Sequence, residues 1–355
     1  MVYRIFVSGL VAFILAGQGD ARAQTSAPMP VSQPVAENTG LPADLVVLHK
    51  IRTQMDQIGN LAFVDWASGK VVARVTVGRE PHEVAVSSDG KYALATNTGA
   101  NNNPGNTLSL IDLATRKEIH RVDLGPLTSP HGVWYQGGKF YFTAEGAKAI
   151  GAYDPVTDHV AWILGTGQDT THNLVVSADG KMIFTANRDS DSVSMMELIG
   201  PPGSHGAWKS TIIPVCQGPQ GLDLSPDGKE LWAGCRRSNQ MAVINTVERK
   251  VVTTFPTQTG QLARVRFTLD GKRVLAADLG KGELSIWDAA TRRELKRLKL
   301  GSYAEGILML PDGKHALIGV TTDDNIAEID LQTMEVTRRI YTGFGPDGMA
   351  WVGPR

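Results

Sequence analysis

Apolar and polar residues alternate in short runs along most of the chain, and the runs come in pairs around a tight turn. One pair, Glu83 to Ser87 and Tyr92 to Thr96, is separated by Asp89-Gly90-Lys91. Alternation with a period of two predicts half-buried β-strands, and a glycine turn between two such runs predicts a hairpin. A second hairpin follows, from Thr107 to Asp112 and from Glu118 to Gly125. Each unit therefore supplies four antiparallel strands.

The turn recurs along the chain and identifies an internal repeat. Its glycine returns every 42 to 48 residues. This period, with four short strands per unit and no helical pattern between them, is typical of a β-propeller blade. The turns are Asp89-Gly90-Lys91, Gly137-Gly138-Lys139, Asp179-Gly180-Lys181, Asp227-Gly228-Lys229, Asp270-Gly271-Lys272 and Asp312-Gly313-Lys314.

The two ends of the repeat region are incomplete units that complement one another. The first contains only a hairpin, Leu61 to Asp65 and Val71 to Val77, and the last contains only the strand Gly345 to Val352. The run Leu45 to Ile51 supplies the remaining strand. One blade shared by both termini would close the ring and leave no open sheet edge. We therefore predict an all-β, seven-bladed propeller over residues 44–355, with four antiparallel strands per blade.

The beginning of the chain has the pattern of an export signal. Arg4 precedes an apolar stretch, Ile5 to Gly17, that is too short to span a bilayer comfortably, and Ala21-Arg22-Ala23 follows. This pattern predicts a signal peptide over residues 1–23, cleaved after Ala23, and a periplasmic protein without a membrane span. Residues 24–43 are rich in proline and small polar residues and are expected to form a flexible lead.

Charge and cysteine content narrow the partners. The formal net charge is −1 at pH 7, which gives no reason to expect nucleic acid. We expect a monomer that binds a small molecule or a periplasmic protein. Cys216 and Cys235 are the two cysteines and fall in one repeat. An oxidising compartment permits a disulfide between them, but the sequence leaves both the bridge and two free thiols open.

Equivalent residues at the start of the first strand of each repeat predict a ring around one mouth of the channel. In a propeller the first strand lines the channel, and the Asp-Gly-Lys turns lie on the opposite face. A scaffold that only needed to fold could use small or apolar residues at the mouth, yet most of these are polar. The ring consists of His82, His131, His172, Gln220, Ala263, Glu305 and Asp347.

The ends of the second strands predict another ring on the same face. It is found by counting seven residues on from each turn glycine, and it consists of Asn97, Glu145, Asn187, Cys235, Asp278 and Val320. We expect four polar residues of the two rings to contact a ligand, namely Asn97, Asn187, Gln220 and Asp278.

Three histidines come from consecutive repeats, and Glu145 comes from the middle one. Three imidazoles and a carboxylate form the ligand set of an open zinc-type site. We therefore expect His82, His131, His172 and Glu145 to hold a divalent metal ion of unspecified identity. Such an ion polarises a carbonyl or activates water. A histidine at a loop end can also simply cap the turn by hydrogen bonding, and the sequence leaves this alternative open.

Several phrases resemble the repeats of exported bacterial propellers of the YVTN type, also described as YncE-like or lactonase-like. They include Val86 to Lys91, Leu108 to Asp112 and Gly218 to Gly228. The literal Tyr-Val-Thr-Asn is replaced by Ala95-Thr96-Asn97. The resemblance covers residues 44–352 and implies an exported propeller. The functions it implies range from lactone hydrolysis and ring-opening lyase chemistry to binding without catalysis.

Within this group, the calcium-dependent sugar lactonases use glutamate and asparagine side chains. Glu145, Asn97 and Asn187 are compatible with that chemistry, whereas the three histidines are not expected from it.

Two hypotheses of different classes follow, and whether the chain is an enzyme stays open. The first is a periplasmic binding propeller that presents its His/Glu-lined channel mouth to a metal, a small ligand or a protein partner. The second is a metal-dependent hydrolase or lyase of lactone-like substrates. In the second, Glu145 acts as ligand or general base, and Glu305 or Asp347 orients the substrate.

Overall fold

A computed structural model describes residues 40, 42–50, 57–201 and 204–353. The expected signal peptide and most of the expected lead lie outside these residues. Within them, 28 strands form seven four-stranded antiparallel sheets, and two one-turn 3₁₀ helices span Glu145–Ala147 and Thr321–Asp323. The described residues contain no helix with the length and apolarity that a membrane span requires. The predicted seven-bladed, all-β propeller is confirmed.

The blades are numbered from the one that contains the first strand, and the strands of a blade are called a to d from the channel outward. The strands of the first three blades are β1 Leu45–His49, β2 Ile58–Asp65, β3 Lys70–Arg79, β4 Pro81–Val86, β5 Tyr92–Ala100, β6 Asn103–Asp112, β7 Lys117–Asp123, β8 Pro130–Gln136, β9 Lys139–Ala144, β10 Ala149–Asp154 and β11 His159–Gly165. Blades 4 and 5 contain β12 Thr171–Val176, β13 Met182–Asn187, β14 Ser192–Leu198, β15 Trp208–Pro214, β16 Pro219–Leu224, β17 Glu230–Cys235, β18 Gln240–Asn245 and β19 Lys250–Pro256. Blades 6 and 7 contain β20 Leu262–Phe267, β21 Arg273–Asp278, β22 Glu283–Asp288, β23 Glu294–Lys299, β24 Ala304–Met309, β25 His315–Val320, β26 Asn325–Asp330 and β27 Glu335–Tyr341, and β28 Pro346–Trp351 returns to blade 1.

The first and last strands close the ring. β28 is strand a of blade 1 and pairs antiparallel with β1, which is strand b, in the order β28-β1-β2-β3. Leu45 lies opposite Trp351, and Val47 lies opposite Met349. The innermost strands of neighbouring blades contact one another all the way around. The predicted blade shared between the two ends of the repeat region is therefore present.

The apolar core lies between blades. Seven clusters of buried side chains occur among the described residues, one at each interface between neighbouring blades. Val46 and Leu48 of β1 pack toward blade 2, and Leu45 and Val47 pack toward blade 7. Successive residues of a strand point to opposite faces, so each inner strand is buried on both sides and contributes to two clusters.

The repeated turn has a physical reason in its residue types. Gly90 has a φ of +68°, a conformation that residues with a Cβ rarely adopt. Asp89 Oδ1 accepts hydrogen bonds from Ser87 Oγ at 2.6 Å and from Lys91 N at 3.1 Å. The same contacts recur around Asp179 and Asp227. Ser-x-Asp-Gly-Lys is thus a structural motif of the turn opposite the mouth.

Cys216 and Cys235 form a disulfide with a Cα–Cα distance of 5.7 Å. It joins the connection between β15 and β16 to the end of β17, and so ties strand b of blade 5 to the segment that enters this blade. Of the two alternatives left by the sequence, the structure has the bridge.

Reduction of this disulfide is expected to lower the free energy of unfolding by about 2–4 kcal/mol, because the bond closes a loop in the unfolded chain. Its partners are 19 residues apart. Urea unfolding with and without reductant measures the effect. A Cys216→Ser/Cys235→Ser variant should not respond to reductant, and equal midpoints for the native chain under both conditions would contradict the expectation.

Candidate functional site

The first predicted ring lies at one mouth of the channel, with all seven members at equivalent positions. Each is the second residue of a strand a, directly after the residue that begins it, as His82 follows Pro81 and Asp347 follows Pro346. Pairing with strand b shifts register at this point in all seven blades, for example between Pro81 and Val84. The interrupted ladder frees these residues from regular pairing with their own sheet.

Hydroxyl groups of neighbouring blades fix the backbone of the ring. Thr96 Oγ1 donates a hydrogen bond to the carbonyl of His131 at 2.7 Å, and Thr143 Oγ1 donates to the carbonyl of His172 at 2.8 Å. In both cases the threonine is on strand b of the preceding blade. The histidines of blades 3 and 4 are therefore held by contacts that cross the blade interfaces.

The innermost strands approach so closely that glycine is required beside the ring. A Cβ on Gly306 would lie 2.1 Å from the carbonyl oxygen of Asp347, and one on Gly348 would lie 2.5 Å from that of His82. Neither distance can be reached by a real side chain without movement of the backbone. The mouth is consequently narrow, and the side chains that line it are forced together.

The second ring has a different register from the one predicted. Asn97 lies opposite Pro81, in the last pair that its strand forms with strand a, but the residue opposite Pro130 is Ala144. The glycine equivalent to Gly90 is thus Gly137, and counting from Gly138 moved the ring on by one residue in blade 3 alone. The residues equivalent to Glu145 are Lys50, Thr98, Arg188, Arg236, Leu279 and Thr321.

This shift separates Glu145 from Asn97 and Asn187. Asn97 Oδ1 accepts from Gly78 N at 2.8 Å, and its Nδ2 donates to two hydroxyls of β6 at 3.0 Å each. Asn187 Nδ2 donates to Ser192 and Ser194 in the same way. The side chains that end strand b therefore hold blades together and are not brought to the mouth.

The side chain of Asp278 also forms its hydrogen bonds within its own blade. Its carboxylate accepts hydrogen bonds from the backbone N–H groups of Gly260, Gln261 and Gly280 at 2.6 to 2.8 Å. These contacts shape the loop before β20 and leave no carboxylate oxygen directed to a ligand. Gln220 belongs to the first ring, where its Oε1 accepts from Arg236 Nη1 at 3.2 Å.

The three histidines do converge. The ring centroids of His82 and His131 are 4.6 Å apart, and those of His131 and His172 are 3.9 Å apart. His172 Nδ1 is in hydrogen-bond contact with Glu145 Oε1. One possible ligand atom from each of His131, Glu145 and His172 lies within 4.8 Å of the other two. We call these three residues the histidine–glutamate cluster.

Burial is the main cause of the pKa shifts in the histidine–glutamate cluster, and these shifts determine its charges. It lowers the pKa of His131 well below the usual value, and the neighbouring His172 adds to the effect. Burial also lowers the pKa of His172 strongly, with a contribution from the charge of Arg188. The carboxyl of Glu145 has a pKa raised to about 6, again mainly by burial. At neutral pH both imidazoles are therefore neutral and Glu145 is ionised.

Two ring nitrogens take no part in the hydrogen bonds of the histidine–glutamate cluster. An ionised carboxylate only accepts hydrogen bonds, so His172 Nδ1 carries the proton and its Nε2 carries a lone pair. His172 Nε2 and His131 Nδ1 are both buried and have no hydrogen-bond partner within the described residues. Two unpaired nitrogens thus lie beside a carboxylate.

A second cluster is built around Lys50, which the sequence analysis did not include. Lys50 Nζ lies 2.6 Å from Asp347 Oδ2 and 2.7 Å from Glu305 Oε2, and these three side chains are at most 6% exposed. His82 Nδ1 lies 3.3 Å from the same Asp347 oxygen. Burial acts to lower the pKa of Lys50, but the two carboxylates outweigh it and raise the pKa. The ammonium therefore already occupies the place between these carboxylates.

Arg264 and Glu83 link opposite parts of the channel wall. Arg264 is the residue after the ring member of blade 6, Glu83 is its equivalent in blade 2, and their side chains form an ion pair. Arg264 Nη2 also lies 3.9 Å from Asp347 Oδ1. Burial opposes the charged form of Arg264, but Glu83 and Asp347 raise its pKa. The pair crosses the channel next to the ring.

Sequence reasoning missed Lys50, Glu83, Arg188, Arg236 and Arg264. Lys50 follows strand b of blade 1 as Glu145 follows strand b of blade 3, so aligning the ends of these strands would have found it. Glu83 and Arg264 each follow a residue of the predicted first ring, and extending that ring by one position would have found both.

His49, next to Lys50, gives a prediction about acid stability. Its Nε2 is 3.1 Å from Thr342 Oγ1. Burial, together with the charge of Arg74, lowers the pKa of His49 from 6.5 to about 3. The unfolded chain binds a proton below pH 6.5 that the folded protein does not bind, so stability falls as the pH drops from 6.5 toward 3.

We expect a His49→Gln substitution to reduce this loss by about 1.5 kcal/mol between pH 6.5 and pH 5. Urea unfolding of metal-free protein at the two pH values measures the difference. Parallel losses in the native chain and the variant would show that His49 is not the group responsible.

No model of a known protein family matches the chain, and no curated protein matches it by sequence. A periplasmic gluconolactonase from Pseudomonas aeruginosa superposes with a TM-score of 0.70 at 15% identity, over 88% of this chain and 99% of that one. The likeness shows the fold. The chain has the propeller architecture found in gluconolactonase structures.

Two further structures give the same result. A Bacteroides fragilis protein assigned as a 6-phosphogluconolactonase superposes with a TM-score of 0.69 at 13% identity, over 88% of this chain and 98% of that one. A chain of hydrazine synthase from Kuenenia stuttgartiensis superposes with a TM-score of 0.64 at 20% identity, over 76% of this chain and 88% of that one. Proteins with such different names share one scaffold, so the residues at the channel mouth, and not the fold, determine the function.

Proposed function

We propose that the channel mouth binds a divalent transition metal through His131 and His172, with Glu145 as third ligand or as the carboxylate that orients His172. The observation that carries this proposal is a pair of buried imidazole nitrogens next to a carboxylate, neither of which has a hydrogen-bond partner within the described residues. Buried polar atoms are almost always paired, so two unpaired ring nitrogens on neighbouring histidines indicate a missing ligand. A turn cap, the alternative for these histidines, would have used those nitrogens in hydrogen bonds.

The arrangement suits a metal in two further respects. Neutral imidazole is the form that binds metal, and a carboxylate that accepts the other ring N–H of a ligating histidine is the usual support of such a ligand. Metal–nitrogen bonds of about 2.0–2.1 Å require ligand atoms about 3.3 Å apart in a tetrahedral site. The present separations are within 4.8 Å, so the side chains must move closer together to reach this spacing.

The second acidic cluster is a poorer metal site. His82, Glu305 and Asp347 also offer ligand atoms within 4.8 Å of one another, but Lys50 is in contact with both carboxylates. A cation would have to displace a buried ammonium and leave it without partners, which is costly. We therefore assign Glu305 and Asp347 to the charge network of Lys50, and His82 to the wall next to the metal.

The donor set also selects the kind of ion. Two or three imidazoles and one carboxylate suit Zn²⁺ and its transition-metal neighbours, whereas Ca²⁺ takes six to eight oxygen ligands. Asn97 and Asn187, which are compatible with the chemistry of calcium-dependent sugar lactonases, use their amides within their own blades. The protein would act as an exported binding propeller that presents the metal to a small molecule.

Metal analysis of protein purified from the periplasm without an affinity tag tests this function. We expect close to one transition-metal ion per chain and a higher unfolding temperature on adding Zn²⁺ or Co²⁺ to metal-free protein. Ca²⁺ should have no such effect. Absence of bound transition metal together with an unchanged unfolding temperature in excess Zn²⁺ would overturn the proposal.

A second function, metal-assisted hydrolysis of a lactone, is favoured by the position of Glu145 next to the unpaired imidazole nitrogens. A metal held there would polarise the ester carbonyl or the attacking water, and Glu145 would accept the proton from that water. The names of the Pseudomonas and Bacteroides neighbours are of this type. Proton release from δ-gluconolactone, with and without chelator, tests it. Activity that survives both chelation and Glu145→Gln would exclude this mechanism.

A further inference from the structure

We infer that the mouth contains an anion-binding subsite beside the histidine–glutamate cluster, formed by Arg188 with Arg236 one blade further on, and that its ligand is a small hydroxycarboxylate. The inference deepens the proposed function and depends on it, because the same ligand would contact the metal. It names the chemical class of the small molecule that the propeller binds.

The corrected register places both arginines at the mouth. Arg188 and Arg236 occupy, in blades 4 and 5, the position of Lys50 in blade 1 and Glu145 in blade 3. Lys50 and Glu145 both contact members of the first ring. Arg236 does so as well, because its Nη1 donates to Gln220 Oε1 at 3.2 Å. The position itself therefore directs side chains toward the ring.

The guanidinium of Arg188 differs from that of Arg236 in its lack of a partner among the described residues. It forms no hydrogen bond or ion pair with them. The nearby acids are used by Arg237, which contacts Asp189 and Asp191 at 2.7 Å each. A half-buried cation thus follows strand b in the blade of His172, at the position that brings Lys50, Glu145 and Arg236 to the ring, with its hydrogen-bond donors available.

The charges at this side of the mouth do not balance once a metal is present. Glu145 is the one carboxylate of the cluster, and it would face both a divalent ion and Arg188. The other carboxylates at the mouth are already paired, Glu305 and Asp347 with Lys50, and Glu83 with Arg264. An anion between the metal and Arg188 would restore the balance, and without one the two cations would repel each other.

The geometry of the donors selects a carboxylate among anions. A guanidinium matches a carboxylate with two parallel hydrogen bonds. A metal with two or three protein ligands keeps open positions for oxygen. A carboxylate with a hydroxyl on the next carbon can occupy two such positions and still offer its second oxygen to Arg188. Gln220 and Arg236 extend the row of polar groups for further hydroxyls.

Calorimetric titration with D-gluconate tests the subsite in Zn²⁺-loaded protein. D-glucitol has the same carbon chain without the carboxylate and serves as the control ligand. We expect gluconate to bind and glucitol not to bind. Arg188→Gln should weaken gluconate binding at least tenfold and leave the metal content unchanged, and Arg188→Lys should recover part of the affinity. Arg293→Gln, at an exposed position near the outer edge of blade 6, should bind like the native chain.

The outcomes separate the two proposals. A native chain that binds no transition metal would overturn the metal site and the subsite together. Metal binding with no gluconate binding, or with equal gluconate affinity in Arg188→Gln, would overturn the subsite alone. If Arg188→Gln does not fold, Arg188→Lys keeps the charge without the bidentate fork, and an affinity for gluconate no weaker than the native value would then contradict the inference.

Discussion

Replacing Lys50 by methionine is expected to lower the free energy of unfolding by about 3–5 kcal/mol, because it leaves two buried carboxylates without their cation. Lys50 contacts Asp347 and Glu305 at 2.6 and 2.7 Å, and Asp347 is inaccessible to solvent. These contacts keep the pKa of Asp347 below its usual value despite its burial. Urea or thermal unfolding of the variant measures the loss.

Two variants show whether the loss comes from buried charge. Lys50→Met combined with Glu305→Gln and Asp347→Asn removes the charges together and should recover at least half of the stability. Lys148→Met removes a lysine whose pair with Asp169 is half exposed, and should cost less than about 1 kcal/mol. A loss for Lys50→Met as small as that for Lys148→Met would show that the network contributes little to folding.

Removing His172 is expected to lower the affinity for Zn²⁺ at least about 100-fold while the propeller stays folded. The reason is that His172→Ala deletes a ligand, whereas the loss of a supporting residue typically costs about 10–100-fold. Glu145→Gln should therefore fall in that lower range if Glu145 orients His172, and beyond it if Glu145 is itself a ligand. Competition with a chromophoric chelator measures both affinities.

The chain offers a matched control for this experiment. His120 Nδ1 lies 2.6 Å from Asp158 Oδ1 on an exposed strand, and so forms a histidine–carboxylate pair outside the mouth. His120→Ala should leave the Zn²⁺ affinity unchanged. If His120→Ala and His172→Ala weaken binding equally, the metal is held at the surface. Unaltered affinity in His172→Ala would remove the cluster from consideration.

The fold was predictable because its determinants repeat. Six of the seven blades have a turn between strands a and b with a glycine in the left-handed region, as at Gly90, and all seven have inner strands buried on both faces. An error in one copy is corrected by the others. The first ring was predictable for the same reason, since proline begins strand a in four blades, as at Pro81 and Pro130, and marks the ring member that follows.

The second ring was less predictable because an error of one residue in the count from the turn glycine selects a different ring member. The doubled glycine at Gly137 and Gly138 gave the count two possible origins, and the wrong one happened to select Glu145. The same rule selected Asn97, Asn187 and Asp278, whose side chains satisfy backbone and hydroxyl groups of the blades. The direction in which a side chain points depends on which residue lies opposite it in the neighbouring strand. Counting residues along the sequence does not reveal that partner.

Counting from the turn glycines could not find Lys50, for a different reason. The other members of its ring follow a turn glycine in the same blade, but the strand before Lys50 has no turn ahead of it, because its strand a comes from the other end of the repeat region. Pairing across 297 residues had to be known before its neighbours could be named. The sequence shows the individual charged residues, but it does not show which of them come into contact.

The junction of β1 and β28 has a consequence for the order in which the protein matures. Lys50 precedes Asp347 by 297 residues, so during synthesis the mouth gains this contact only after the six blades between them have been translated. Until then the early segment lacks the partner that neutralises it. Completion of the charge network therefore waits for closure of the ring, and a chain that stops before β28 would leave Lys50 without Asp347.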